Sequence, residues 1–363
     1  MKKNFLLGIL ALTMSLSTLV GCGGTTQNPN TSTPEAPTQT SNNAEAGNTT
    51  PTANKEAVIV QIGFENTLDE PIGQALTKWK ELVAEKGDGS LEIKLFPNSS
   101  LGSKTELIDM MVMGEPVVTI ADGAFYADYG VKDMGIMYGP FFFESWDDVW
   151  TLIESDWYAD QSKKLEEKGL KLLASNWIYG SRHLMTTKKV VTPEDVAGMK
   201  IRVAATEIYM EGWNSLGAVA TGLALGETYQ ALQTGVVEGV ENPFSTLYGQ
   251  SFHEVAKNIL LTGHIKNFTT WVTGTEFFNQ LTPEQQELLV TTGEEAGLYN
   301  NQLQTENEQV YLDQLTSAGV TVTEMTEENL AAWKEKSKGF YELGDKFGWS
   351  EGLYDTVQKA MGK

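Results

Sequence analysis

The sequence YQALQTGVVEGVENP, residues 229–243, contains in one short stretch the signals of a helix and of the strand that follows it. The spacing of apolar residues predicts a helix over residues 227–234, and Gly235 is a residue type that commonly follows the last helical turn. The apolar run at residues 236–240 predicts a strand, so Asn242 would stand just beyond its carboxyl end. Ligands of open α/β sheets bind outside the carboxyl ends of strands, so this stretch also indicates one wall of a binding site.

Strands and helices alternate on both sides of this stretch. Further strands are predicted at residues 58–63, 91–95, 117–121, 170–175 and 200–203, and further helices at residues 71–86, 104–113 and 206–216, with a short one starting at Thr192. Such alternation predicts a parallel α/β architecture. Thr282-Pro283-Glu284 has the pattern of a helix start. The helix after it continues beyond Leu303 without a clear breaker, which is long enough to bridge two lobes.

Composition limits the classes of protein that this chain can belong to. It has 363 residues, of which 41% are hydrophobic and 20% charged, enough for about two globular domains. The balance of 26 Lys+Arg against 48 Asp+Glu gives a net charge of −22, which argues against a nucleic-acid partner. A single cysteine excludes an intrachain disulfide. No cofactor and no metal site is predicted.

The N-terminus has the pattern of an export signal. Lys2 and Lys3 precede an uncharged, mostly apolar run at residues 5–20, so residues 1–21 are predicted to be a signal peptide. The run ends in Leu19-Val20-Gly21-Cys22, which resembles the bacterial lipobox, and this resemblance implies lipidation of Cys22. Residues 22–55 are predicted to be a lipidated N-terminus and a disordered linker, because residues 23–53 contain no aromatic residue, Leu, Ile, Val or Met.

Motifs of enzyme active sites are missing from the sequence. It contains no HExxH, no GxSxG nucleophile elbow, no P-loop and no GxGxxG. His183, His253 and His264 lack the spacing of metal ligands. Glu238 and Glu241 flank a strand end and are better explained as ordinary carboxylates than as a catalytic pair. The sequence therefore favours a protein that is not an enzyme.

Arginine is rare in this chain, and its two positions are informative. Of the 26 basic residues only Arg182 and Arg202 are arginines. Lysine suffices for solubility, whereas the planar guanidinium binds a carboxylate with two parallel hydrogen bonds. Arg202 lies at the end of the predicted strand 200–203, and Asn242 follows a second strand end. Both side chains are therefore expected at one crevice.

The strand GMKIRV at residues 198–203, together with residues 229–243, resembles the signature of DctP-type solute-binding proteins of TRAP (tripartite ATP-independent periplasmic) transporters. The resemblance covers roughly residues 58–345 and includes Phe96-Pro97-Asn98 with Leu101-Gly102, Pro140-Phe141 and Arg182. It implies an α/β, two-lobed, periplasmic-binding-protein-like fold. The ligand cleft would lie between the lobes, and a long helix would span both.

The resemblance also implies a ligand site. Arg202 would bind the ligand carboxylate, Arg182 would be the second arginine, and Asn242 would be the asparagine of the Glu-Asn-Pro motif. By position in the chain, the opposite wall would comprise Glu65, Ala121 and Asp122, with Phe125 and Leu225 as selectivity residues. The acidic groups opposite the arginines suggest a ligand that carries hydroxyl or amino groups besides its carboxylate.

Two details follow from the same resemblance. Lobe I would comprise residues 56–179 and about 268–307, and lobe II about 180–267 and 308–363. The loop at residues 217–223 lacks the prolines that the family often has after the preceding helix. Because this loop helps to shape the pocket, the size of the ligand stays open.

The sequence thus predicts an extracytoplasmic lipoprotein, anchored to the cell membrane through Cys22, that captures an organic acid in a closing cleft and delivers it to a TRAP-type permease. The nature of the acid stays open among dicarboxylates, sugar acids, keto acids and amino acids. The alternatives are a binding protein that serves a sensor or another transporter, an enzyme on a binding-protein scaffold, and a surface adhesin.

Overall fold

The computed structural model describes residues 57–363, and the predicted signal peptide, Cys22 and the predicted linker all lie outside this range. The strands are β1 (Val58–Gly63), β2 (Leu91–Phe96), β3 (Val117–Ala121), β4 (Leu170–Thr186), β5 (Lys200–Val203), β6 (Val219–Gly222), β7 (Gly239–Asn242), β8 (Asn258–Gly274) and β9 (Thr321–Thr323). None of the helices within the described range is long and apolar enough to cross a membrane.

Helices alternate with the strands, as the sequence predicts. They are α1 (Pro71–Lys86), α2 (Lys104–Val112), α3 (Gly123–Asp128), α4 (Trp146–Ile153), α5 (Asp156–Glu167), α6 (Glu207–Ser215), α7 (Thr228–Gln233), α8 (Phe244–Gly249), α9 (Thr275–Gln280), α10 (Pro283–Ser317), α11 (Glu327–Tyr341), α12 (Gly344–Phe347) and α13 (Leu353–Ala360). Short 3-10 helices at Lys132–Tyr138, Pro193–Val196, Leu225–Glu227 and Phe252–Glu254 complete the order.

The strands form one mixed sheet in the order β2-β1-β3-β8-β4-β7-β5-β6, with β9 paired to β8. The outer groups β2-β1-β3 and β7-β5-β6 are parallel, as predicted. The central strands β4 and β8 are antiparallel to each other and have 17 residues each. They connect the two parallel groups, and their pairing is irregular around Ala174–Gly180. The prediction of a strand at residues 170–175 was correct in place but too short.

The helix predicted from Thr282 is α10, and it is 35 residues long. Its start is a capping box, in which the Gln285 backbone N–H donates to the Thr282 hydroxyl and the Gln285 side chain accepts from the Thr282 N–H. The helix packs against β4, against α1, which follows β1, and against α8, which follows β7. Asn300 donates to the Ile178 carbonyl at 2.8 Å, and Asn301 donates to the Asn176 carbonyl at 2.7 Å. These amides hold the irregular part of β4.

Two predicted elements are shifted in the structure. The strand expected at residues 236–240 begins only at Gly239, and Val236 is 52% exposed. A Cβ atom at Gly239 would lie 2.7 Å from Ile201 Cδ1, so β7 starts where its backbone can approach β5 closely. The loop expected at residues 217–223 contains the edge strand β6, which pairs in parallel with β5.

Candidate functional site

The carboxyl ends of β1, β3, β5 and β7 converge on one cavity, most of whose lining residues are buried. Seven of the eight predicted ligand-binding residues line it: Glu65, Asp122, Phe125, Arg182, Arg202, Leu225 and Asn242. An adjoining cavity of about 200 Å³ shares Glu65, Lys104, Phe125, Arg202 and Ala204 with the first. It extends to Leu223 and Ala224, so the segment after β6 shapes this second space.

Ala121 is the predicted residue that does not line the cavity. Its backbone carbonyl accepts hydrogen bonds from the hydroxyls of Thr269 and Thr270 at 3.0 and 2.9 Å. These bonds tie the end of β3 to β8, and the next residue, Asp122, caps α3 by accepting from the Ala124 N–H. Ala121 therefore fixes the strand from which Asp122 reaches the cavity.

Arg202 is buried, at 3% exposure, and it presents an unoccupied end to the cavity. Its Nε and Nη2 atoms both donate to the Leu223 carbonyl, at 3.0 and 2.6 Å. It forms no ion pair with any residue that the structure describes. Burial lowers the pKa of Arg202, yet a guanidinium stays charged in proteins. Two N–H groups on Nη1 and one on Nη2 are left, which is the fork that binds a carboxylate.

Arg182 lines the same cavity, but its fork is occupied by the protein itself. Its Nε donates to Glu241 Oε2 at 2.5 Å, and its Nη2 donates to Glu241 Oε1 at 2.6 Å and to the Glu241 backbone carbonyl at 3.0 Å. Nη1 donates to Asn267 Oδ1 at 2.8 Å, and His264 Nε2 lies 3.2 Å from Glu241 Oε2. Burial raises the pKa of Glu241, but Arg182 and His264 outweigh burial and hold it at about 2. Arg182 therefore has only one N–H left for a ligand.

The cavity wall opposite the arginines carries two carboxyl groups, of which Glu65 has a cationic partner and Asp122 has none among the described residues. Glu65 forms an ion pair with Lys104 at 3.1 Å, and the Lys104 ammonium also lies 4.5 Å from the centre of the Phe125 ring. Burial raises the pKa of Glu65, but Lys104 and Arg202 together bring it below its usual value. Asp122 accepts from the Tyr209 hydroxyl at 3.0 Å, and burial raises its pKa despite Lys104 and that bond.

Asn242 provides a donor to the cavity. The side chain is 2% exposed, and its Nδ2 atom is buried without a hydrogen-bond partner among the described residues. A buried amide N–H₂ without an acceptor is costly, so such a group commonly waits for a ligand or a water. Because Asn242 ends β7 beside Arg202 on β5, one ligand can contact both.

Sequence reasoning missed six residues that line the cavity: Lys104, Tyr179, Ala204, Tyr209, Asn267 and Thr269. Tyr179 precedes Arg182 on β4 by three residues, and Ala204 directly follows β5, so both stand near predicted residues. The register of β4 on β8 brings Asn267 opposite Gly180, which no local pattern shows. Among residues 57–363, no cluster of three His, Cys, Asp or Glu side chains could hold a metal ion.

A buried cavity at strand ends, with a free guanidinium fork and paired neighbouring charges, defines a protein that binds a small anion. The chain belongs to the DctP family, the bacterial extracellular solute-binding proteins of family 7, whose model matches residues 62–346. It is thus a TRAP-type solute-binding protein of an extracytoplasmic family. This confirms the family that the sequence predicts.

Relatives support the same assignment. The chain is similar to the C4-dicarboxylate-binding periplasmic protein DctP of Rhodobacter capsulatus, at 28% identity over 281 residues, covering 77% of this chain and 84% of that protein. It is similar to a TRAP periplasmic solute-binding protein of Ochrobacterium anthropi solved with L-fuconate, at 34% identity and a TM-score of 0.80, covering 84% of this chain and 100% of that one. The chain is also similar to a TRAP periplasmic solute-binding protein of Actinobacillus succinogenes 130Z solved with L-galactonate, at 35% identity and a TM-score of 0.79. The match covers 84% of this chain and 99% of that one. These matches confirm the predicted periplasmic-binding-protein-like fold.

Proposed function

We propose that this chain binds a sugar acid with a single carboxylate, of the aldonate type, and delivers it to a TRAP-type membrane permease. The observation that carries this proposal is the free guanidinium fork of Arg202, buried in a cavity whose other cations already have partners. The carboxylate of the ligand would accept from this fork.

The charges of the cavity favour one negative charge on the ligand. Arg182 is paired with Glu241, and Lys104 is paired with Glu65, so these four groups cancel. Arg202 is then the one cation lining the cavity that has no anionic partner among the described residues, and burial raises the pKa of Asp122 on the opposite wall. A second ligand carboxylate would be buried without a cation, which is costly.

The remaining polar groups suit the hydroxyl groups of a sugar acid. Asn242 Nδ2 can donate to a hydroxyl oxygen, and the carboxyl groups of Glu65 and Asp122 offer acceptors on the other wall. Two solved relatives at 34% and 35% identity hold L-fuconate and L-galactonate. The Rhodobacter relative, at 28% identity, is a C4-dicarboxylate-binding protein, which makes a dicarboxylate the second candidate ligand.

Titration calorimetry can separate these candidates. We expect L-galactonate to bind at least about thirtyfold more tightly than succinate at neutral pH, because the second carboxylate of succinate meets no free cation, at a cost of about 2 kcal/mol or more. D-galactose, a control of similar size without a carboxylate, should not bind measurably. Equal or tighter binding of succinate would contradict the sugar-acid proposal.

The binding site serves transport rather than catalysis in this proposal. Capture would follow from closure of two lobes, residues 56–179 with about 268–307 and residues 180–267 with 308–363, around a ligand that contacts both. Helix α13 packs against α4 and α5, so the C-terminal residues also contact the segment that precedes β4. Service to a sensor or to another transporter is the alternative, and the presence of permease genes beside this one would favour the permease.

We also propose that Cys22 carries the lipid that anchors the protein outside the cytoplasm. The support is the lipobox-like Leu19-Val20-Gly21-Cys22 after an uncharged apolar run. Substitution Cys22→Ser should abolish incorporation of a labelled fatty acid and leave the precursor uncleaved at this site. Equal labelling of the variant and the wild type would disprove the assignment.

A further inference from the structure

Another buried carboxyl group, that of Glu70, lies beside the ligand cavity and does not line it. Its Oε2 accepts from Asn66 Nδ2 at 2.7 Å and from the Thr246 hydroxyl at 3.1 Å. Its Oε1 accepts from the Thr67 backbone N–H at 2.9 Å. Asn66, Glu70 and Thr246 are each at most 2% exposed, so these bonds are shielded from bulk solvent.

This network joins two elements that are far apart in the chain. Asn66 and Glu70 belong to the segment between β1 and α1, whereas Thr246 lies on α8. A Cβ atom at Gly249 would lie 2.7 Å from Glu70 Oε1, so the backbone of α8 approaches this carboxyl group closely. Gln250, directly after α8, donates to the Glu65 carbonyl at 3.2 Å and adds a second bond between the same segments.

The network reaches the ligand cavity at two points. The Tyr179 hydroxyl lies 3.3 Å from both Asn66 Nδ2 and the Thr246 hydroxyl, and Tyr179 lines the cavity. Glu65, which also lines the cavity, directly precedes Asn66 in the chain. Any separation of the segment at residues 64–70 from α8 would therefore displace two parts of the cavity wall.

No cation balances Glu70 among the residues that the structure describes. The charged or titratable groups that face it are Glu65 and Asp69 on its own segment, Tyr179 on β4 and Tyr311 on α10. Helix α8 contributes only the uncharged Thr246 and, just after it, Gln250. Burial raises the pKa of Glu70 in spite of its hydrogen bonds.

We propose that Asn66, Glu70, Tyr179 and Thr246 form a proton-linked clasp, in which Glu70 is a positioning residue that holds the segment at residues 64–70 on α8 and thereby shapes the ligand cavity. When the clasp opens, Glu70 is hydrated and its affinity for a proton falls to the ordinary value of a glutamate. Closing the clasp therefore takes up a proton on Glu70 Oε2, which donates to the Thr246 hydroxyl oxygen while the Thr246 O–H donates to the Tyr179 hydroxyl at 3.3 Å. Mildly acidic pH thus favours the closed clasp. The link to ligand retention rests on the proposed function.

Amide hydrogen exchange of the ligand-free chain tests the clasp directly. We expect the amide protection factors of residues 64–70 and 244–250, which are corrected for the intrinsic exchange rate, to be at least about threefold higher near pH 5 than near pH 7.5. Glu70→Gln has a neutral side chain at both pH values, so it should show no such difference in protection between them. Thr246→Val should lower protection at both values, because it removes the hydroxyl that joins α8 to Glu70.

The control variant is Glu85→Gln, an exposed glutamate on α1 that should behave as the wild type. The clasp would be overturned if Glu70→Gln kept the wild-type pH difference, or if Thr246→Val were as well protected as the wild type.

Binding of L-galactonate tests the link to the ligand. The ratio of the dissociation constants of wild type and Glu70→Gln should rise about threefold from pH 5 to pH 7.5, and the titration of Asp122, common to both proteins, cancels in this ratio. A constant ratio would overturn the link to ligand retention. If neither protein bound L-galactonate, the proposed ligand would be wrong, and the exchange measurement would still decide the clasp.

Discussion

Substitution of Arg202 by lysine is expected to weaken binding of the cognate acid by roughly tenfold to a hundredfold, the value of a lost hydrogen bond to a charged group. The guanidinium is buried, and its outer edge is the only unpaired cationic group that lines the cavity in the part of the chain that the structure describes. Lysine keeps the charge but loses the two parallel hydrogen bonds. It also loses the bonds by which Nε and Nη2 fix the side chain on the Leu223 carbonyl.

Titration calorimetry of the wild type, Arg202→Lys and two comparison variants measures this effect. Lys94→Ala removes an exposed positive charge on β2 and should bind as the wild type. Arg182→Lys should cost less affinity than Arg202→Lys, because the fork of Arg182 is already bound to Glu241. Circular dichroism should show the same fold for all four proteins. If Arg202→Lys bound within about threefold of the wild type, below about 0.7 kcal/mol, the carboxylate would be bound elsewhere.

The residues of the site that could be predicted are those that local sequence identifies. Arg202 and Asn242 end parallel strands, and a strand end can be read from a short apolar run and the residues after it. Glu65 and Asp122, which the family resemblance alone implies, follow β1 and β3. All four residues line the cavity. The positions of Arg202 and Asn242 needed no knowledge of which strands are neighbours, because the carboxyl ends of parallel strands meet at one edge.

The electrostatic roles could not be predicted, because they depend on pairing across the sheet. Glu241 was interpreted as an ordinary carboxylate, and Arg182 as a second carboxylate-binding residue. The antiparallel register of β4 on β7 places Glu241 opposite Leu184 and so brings it to Arg182. Residues 182 and 241 carry no local signal of this contact. Because of this ion pair, the Arg182 guanidinium is neutralised by Glu241 and is not a free donor for a ligand carboxylate.

Loss of the Glu241 carboxylate has the largest expected effect on stability. Glu241→Gln should lower the free energy of unfolding by about 3–5 kcal/mol, because it leaves the Arg182 guanidinium buried without a counter-charge. The pKa of Glu241, about 2 against an ordinary 4.5, corresponds to a contribution of about 3 kcal/mol and agrees with this range. Thermal unfolding should show a midpoint lower by roughly 6–20 °C.

The pH dependence of this loss has a defined sign. The folded-state pKa of Glu241 lies below its unfolded value, so its contribution is complete above about pH 4.5 and is lost as the pH falls toward about 2. The difference between the wild type and Glu241→Gln should therefore narrow below about pH 4.5. The control is Glu238→Gln, which removes a carboxylate paired with Lys188 at the surface and should cost less than about 1 kcal/mol.

The same variant also tests the proposal that the ligand carries a single carboxylate. Without the Glu241 charge, the cavity gains a second uncompensated cation at Arg182. In calorimetric titrations, Glu241→Gln should therefore bind succinate more tightly relative to L-galactonate than the wild type does. If the variant unfolded as the wild type does and kept its ligand preference, the Arg182–Glu241 pair would neither stabilise the fold nor set the charge of the site. A destabilised variant with an unchanged preference would separate the two roles, and ligand charge would then be selected by Arg202 and Asp122 alone.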